Sequence, residues 1–228
     1  MIRFAASTQI ALGLIALGLI TPGVLASPGA ALAEVPREVA ERLPTTEAQD
    51  LAAVQSYLKS ITTLRARFQQ VAPNRQVSAG TMSLQKPGRL RFEYTPPTPI
   101  LVVSDGTVIT LIDYELKQVT RWPINDTPLR PLVRSDFMFG EDVEVLGMKR
   151  NAQWINVAIT DPKKRDEGSM LLRFSRNPLK LTEWQVLDER GQTTIVTLDA
   201  LQTNVSLDKS LWTWKDPRPK RGGPPTKN

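Results

Sequence analysis

Residues 86–113 read as three strands separated by turn residues, the first alternating apolar and polar residues with period two, which commits this region to an antiparallel arrangement. Leu90, Phe92 and Tyr94 interleave with Arg89, Arg91 and Glu93, so one face is apolar and the other charged. Thr95-Pro96-Pro97-Thr98-Pro99 interrupts the pattern, and an unbroken apolar run, Ile100-Leu101-Val102-Val103, follows it. Because that run has no polar member, its inward face is not assignable from the pattern. Asp105-Gly106 between β-branched runs signals a hairpin, since a tight turn needs positive φ, which glycine adopts most easily. Taken by itself the stretch fits any β-meander.

The same period extends through most of the chain. Leu64, Ala66 and Phe68 alternate with Thr63, Arg65, Arg67 and Gln69, and a polar-rich strand over 77–85 follows the Pro73-Asn74 break. After a turn at 114–117, strand-like segments lie at 118–122, 143–149, 153–160, 169–175, 181–187 and 193–201. Arg150-Asn151, Asn177-Pro178 and Arg190-Gly191 are among the turns between them. About eleven strands result, with no internal repeat. Two segments depart from the pattern. Thr46-Glu47-Ala48-Gln49 opens a helix with a capping box, and Leu51, Val54, Leu58 and Ile61 recur at helical spacing up to an end near Ser60. Thr127-Pro128 reads as an N-cap followed by a proline at the first helical position, while Pro131 removes a further donor and keeps this helix short or distorted. So many short strands with so few helices predict a mainly β fold with some α in one domain, a strongly curved sheet or an open barrel whose concave side one helix could plug or cover, leaving a candidate cavity.

The termini read differently. Met1-Ile2-Arg3, the apolar run 10–20 and Ala31-Leu32-Ala33 form the n-region, h-region and cleavage site of a signal peptide spanning 1–33. A signal anchor is the alternative, although the apolar run is short for a membrane span. Residues 34–45 read as a linker, 46–216 as the domain, and 217–228 as a disordered basic tail. Lys220, Arg221 and Lys227 sit there among Pro217, Pro219, Pro224 and Pro225. Exported, and without cysteine for lipid attachment or disulfides, the mature chain is expected to be soluble.

Composition narrows the chemistry. The chain has neither histidine nor cysteine, which removes Ser-His and Cys-His nucleophile systems and the common zinc sites. There is no Gly-Lys-Ser/Thr phosphate loop, and no cofactor is expected. The acid clusters Asp113/Glu115, Glu141/Asp142/Glu144 and Asp161/Asp166/Glu167 could serve a hydrolase only if two carboxylates faced one cleft. Beside turn residues, they read better as solvated loop charges. A net charge of +6 is mild, and the basic residues are not interleaved with aromatics as nucleic-acid binding requires.

Lys86-Pro87-Gly88-Arg89-Leu90-Arg91-Phe92-Glu93-Tyr94, Val103-Ser104-Asp105-Gly106, the segment 114–119 with its Gln118-Val119, and Thr127-Pro128-Leu129 together resemble the LolA-type periplasmic lipoprotein carriers. The likeness covers nearly all of the chain after the export segment. It implies a single-domain incomplete antiparallel β-barrel of about eleven strands, closed by a helical lid over an apolar cavity, that serves as a monomeric carrier in the periplasm of a Gram-negative bacterium. Acylated lipoproteins would be loaded by an inner-membrane lipoprotein-releasing transporter and passed to an outer-membrane acceptor or to the membrane itself. It also implies that Leu90, Phe92 and Tyr94 face the acyl cavity and that Leu129, Leu132 and Val133 form the apolar face of a helical lid. The empty cavity is expected to be collapsed beneath that lid. Where the family has an arginine that latches the lid, this chain has Lys86, a point donor without the planar fork. A lipid- or glycolipid-sensing module on the same fold is the nearer alternative, and a periplasmic hydrolase using an acid pair the more distant one.

Overall fold

The computed structural model describes residues 45–219. The export segment 1–33, the linker up to residue 44 and the tail beyond residue 219 lie outside the described residues. The eleven strands are β1 Thr63–Val71, β2 Val77–Gln85, β3 Arg89–Tyr94, β4 Ile100–Asp105, β5 Val108–Asp113, β6 Gln118–Pro123, β7 Glu144–Arg150, β8 Trp154–Thr160, β9 Gly168–Arg176, β10 Leu179–Asp188 and β11 Thr193–Thr203. They form one antiparallel sheet in the order β6-β5-β4-β3-β2-β1-β11-β10-β9-β8-β7. Two meanders are thus joined through the pairing of β1 with β11, and β6 and β7 are left as unpaired edges.

The sheet is strongly curved, as its ring contacts require. Phe92 of β3 and Trp184 of β10 lie four ladder steps apart, about 19 Å in a flat sheet, yet their ring centroids are 6.2 Å apart. Bulges help to bend it: the register shifts between Arg65 and Arg67, between Leu181 and Glu183, and between Val145 and Gly147. The shift in β10 changes the phase of its alternation, so that Leu181, Trp184 and Val186 are the residues turned inward.

Helix α1, Thr45–Ser60, lies in the concavity. Val54, Leu58 and the following Ile61 are buried in the core, with Leu51 and Tyr57 partly buried beside them. Polar ties fix its position across the barrel. Asp50 is also buried and holds Arg150 of β7 at 3.1 Å and Arg176 of β9 at 2.8 Å. The Tyr57 hydroxyl accepts from the Leu181 amide at 3.2 Å, while its ring meets Phe174 edge-on.

β4 and β5 are buried on both faces, which accounts for the unbroken run 100–103. Ile100 and Val102 join the main core, whereas Leu101, Val103 and Ile112 form a second cluster on the convex side with Val119 and Trp214. The chain after β11 returns over this surface as a strap. Arg91 donates to the carbonyls of Leu211 and Thr213 at 3.0 and 3.2 Å, and Arg89 and Arg121 lie over the rings of Trp212 and Trp214. Two of the three charges on the outer face of β3 therefore anchor a strap.

Gly80 of β2 marks the tightest approach in the curved ladder. A Cβ there would overlap the Glu93 carbonyl oxygen and come within 2.8 Å of the Phe68 ring, whereas one at Gly147 would meet nothing within 4 Å. Gly80→Ala should therefore lower stability by about 1–3 kcal/mol, as overpacked cores do. Gly147→Ala should stay within about 0.5 kcal/mol of the parent, as unencumbered surface changes do. Urea denaturation of the two variants checks the contrast.

Candidate functional site

The side chains of β3 and of the connection from β6 to β7 meet inside the concave face. Leu90, Phe92, Tyr94, Leu129, Leu132 and Val133 are all buried, in one apolar cluster with Val54 and Leu58 of α1. Phe68 of β1 packs edge-on against both Phe92 and Tyr94, at 5.1 and 5.0 Å. Tyr94 brings one polar group into this interior, its hydroxyl donating to Gln70 Oε1 at 2.8 Å. Burial raises the Tyr94 pKa far above the ordinary tyrosine value, so the phenol stays neutral and able to donate. Gln70 lies in phase with Leu64, Ala66 and Phe68 and is fully buried, a position that strand periodicity marks even though the residue is polar.

The connection between β6 and β7 carries Leu129, Leu132 and Val133, the residues expected to form the lid. It begins with a single 3-10 turn, Ile124–Asp126, and continues into helix α2, Arg130–Val133. The expected Thr127 cap with Pro128 in first place is not what forms. The Thr127 hydroxyl and amide both bond to the Ile124 carbonyl, at 2.8 and 3.2 Å, closing the 3-10 turn. Leu129 then takes the cap position without a side-chain bond, and Pro131 enters the first turn, where its missing N–H is harmless. The helix is accordingly only four residues long. On one side the Val133 carbonyl accepts from the Gly88 amide at 2.9 Å. Gly88 has φ +74°, and a Cβ there would come 2.6 Å from the Gly106 Cα, so the turn needs glycine for both reasons. On the α1 side, Gln55 donates to the Phe137 carbonyl at 2.5 Å and accepts from the Phe139 amide at 2.9 Å.

Lys86 does reach a helix: its ammonium donates to the Leu58 carbonyl in the last turn of α1, at 2.6 Å. Burial pulls its pKa down to about 8, the single carbonyl being a partial charge rather than a full counter-ion.

Tyr94 borders an opening of about 330 Å³ that also takes in residues 96–101 and Tyr114, whereas none of the six apolar residues, nor Lys86, lines a second cleft beside the β6–β7 connection. That cleft, of about 80 Å³, lies between the lid and strands β8 to β10, with Phe137, Val143, Ile159, Met170 and Val186 in its wall. It has the room of two or three waters. Several acids expected to be solvated loop charges prove to be structural. Asp113 is buried and accepts from the amides of Glu115 and Leu116 at 2.9 and 2.8 Å, while Asp142 and Asp161 are ion-paired to Arg130. Asp142 and Asp161 find their cation elsewhere in the chain, which local pattern does not reveal, whereas Asp113 caps the turn that directly follows it. Among the described residues no group of three or more carboxylates could hold a metal ion.

The depressed pKa of Lys86 sets a pH dependence. The folded value lies below the ordinary 10.5, so the unfolded chain holds the extra proton between about 8 and 10.5. The burial penalty is therefore complete below pH 8 and is relieved as pH rises through that window. Relative to Lys86→Met, the parent should gain stability between pH 8 and 10.5 and show a constant difference below 8. Urea titrations of both proteins at each pH measure it, and a flat difference throughout would mean that Lys86 is not buried as described.

Comparison with known proteins places this architecture. The family described as outer membrane lipoprotein carrier protein LolA matches residues 59–215. An outer-membrane lipoprotein carrier protein of Methylococcus capsulatus is 31% identical over 176 residues, covering 72% of this chain and 82% of the relative. One from Legionella pneumophila strain Corby is 31% identical over 173 residues, 72% of this chain and 85% of the relative. Among solved structures, a LolA superfamily protein of Nitrosomonas europaea covers 72% of this chain and 97% of its own at 8% identity, with a TM-score of 0.41. The matched span takes in the whole sheet, the lid and the convex strap, and the chain belongs to the LolA family of outer membrane lipoprotein carrier proteins.

Proposed function

We propose that this protein is a periplasmic carrier that encloses the acyl chains of lipoproteins between the concave sheet face and the helices α1 and α2. It takes them from a lipoprotein-releasing transporter at the inner membrane and gives them up to an acceptor, or to the membrane itself, at the outer membrane. The observation that carries this reading is the convergence of β3, α1 and α2 on one apolar interior that is shut in this state. Family membership supplies the class of cargo.

Energetics favour a carrier that is closed when empty. Burial yields about 0.8 kcal/mol per methylene, so full enclosure of a triacyl anchor of about 45 methylenes would nominally give about 36 kcal/mol. Non-covalent affinity reaches only about 20 kcal/mol, and cargo held more tightly would never be released. Displacing Leu129, Leu132 and Val133 from the core offsets part of that gain each time cargo enters, leaving a net affinity compatible with delivery.

Two experiments test this. The parent should bind the fluorescent fatty acid cis-parinaric acid, and Phe92→Glu, or the milder Leu132→Glu, should weaken binding at least tenfold by setting an unpaired charge against the chain. Equal binding by variants that remain folded by circular dichroism would refute the interior as the acyl site. For the latch, Lys86→Leu should loosen α1 and slow transfer of lipoprotein to acceptor membranes, while Lys86→Arg should not. Equal transfer rates for all three residues would remove Lys86 from the mechanism.

A further inference from the structure

We infer that the acyl chain enters and leaves through the cleft between the lid and strands β8 to β10, and that two ion pairs of opposite polarity clasp this mouth shut. This rests on the carrier reading above and assigns the direction in which the lid opens.

The margins of the lid segment are held by different kinds of bond. Toward the opposite half of the sheet the ties use backbone groups: the Ile124 amide donates to the Thr107 carbonyl at 2.9 Å, and Gly88 donates to Val133. Toward α1, Gln55 bonds two backbone groups of the segment around Phe137. Toward β8 to β10, among the described residues, no backbone bond crosses. Only side chains do. Arg130 of α2 reaches Asp161 at 3.2 Å, and Lys164 reaches back to Asp126 at 3.5 Å. Asp161 and Lys164 both belong to the turn between β8 and β9, so each rim contributes one cation and one anion.

Such a margin is the easiest to part. The four side chains retain between 24% and 39% of their exposure, so water can solvate them as they separate and salt can screen them. Opening also leaves neither cation unpaired. Asp142, within the lid segment itself, holds Arg130 at 3.3 Å, and Glu167 holds Lys164 at 3.2 Å. Each cation thus keeps a carboxylate as the rims part, and the two acids that are released, Asp126 and Asp161, are partly exposed and can be solvated rather than left as uncompensated buried charges.

What lies behind the rim identifies the occupant. Phe137, Val143, Ile159 and Met170 line the cleft and are also members of the core cluster that contains Phe92 and Leu132. The apolar surface therefore runs without a break from mouth to interior, as an alkyl chain entering end-first requires. The charged rim would remain outside with the polar part of the cargo.

The test is the rate of uptake of cis-parinaric acid by the full chain in stopped flow. Arg130→Gln and Asp161→Asn should each speed uptake about fivefold or more, and the double variant should add little to either, since both remove the same bond. Raising NaCl should speed uptake by the parent and have less effect on the double variant. Arg165→Gln is the control, because Arg165 pairs with Glu144 of β7 and does not cross the mouth; its rate should equal the parent's. Parent-like rates in Arg130→Gln and Asp161→Asn, or equal acceleration by Arg165→Gln, would overturn the clasp while leaving the carrier reading intact. Absence of probe binding by the parent would overturn both.

Discussion

An open sheet of eleven strands with one apolar face must hide that face, and this molecule does so by curving until its own side chains meet. The contact of Phe92 with Trp184 across four ladder steps expresses that constraint. Curvature alone leaves the concavity unfilled along the barrel axis, so two pieces of helix complete it. One is the long α1, anchored by Asp50 and Tyr57; the other is the four-residue α2, inserted from the connection between the edge strands. The core is thus made partly from elements that are not woven into the ladder. Removing them breaks side-chain packing and a few hydrogen bonds, but no strand pairing.

Much of this is legible in the residues. Period-two alternation marks the strands, and it places Leu90, Phe92 and Tyr94 inward without reference to anything outside β3. Helical spacing marks the buried stripe of α1. The pattern fails where burial depends on partners remote in sequence. The run 100–103 is apolar on both faces because Trp214, more than a hundred residues later, covers its outer side. Asp50 is an acid in phase with Val54 and Leu58, tolerated there because two strand ends deliver Arg150 and Arg176 to it. Thr127 has the chemistry of a helix cap but spends it on the turn behind, since Ile124 is buried and its carbonyl needs partners.

The candidate site shows the same division. The apolar identity of its six residues is a local property, whereas their burial in one cluster with α1 is a property of the tertiary arrangement. Lys86 is the informative intermediate case. Its reach toward the lid is implied only by the family resemblance, and the helix that it meets is α1 rather than α2. Ion pairs help to secure both covering elements, but Lys86 adds an ammonium on a backbone carbonyl at the end of α1, while the segment of α2 adds backbone bonds to the β3 side of the sheet.

The unpaired edges β6 and β7 have a consequence of their own. In a sealed barrel, girth is fixed by strand number and stagger, and it cannot change without breaking ladder bonds all the way round. Here the cylinder is slit lengthwise, and the slit is bridged by a tether of about twenty residues rather than by hydrogen bonds between strands. Such a shell can dilate by small changes of twist spread over ten strand pairs. On the proposed carrier reading its capacity is then elastic, so that cargoes of unequal bulk would fit one and the same sequence.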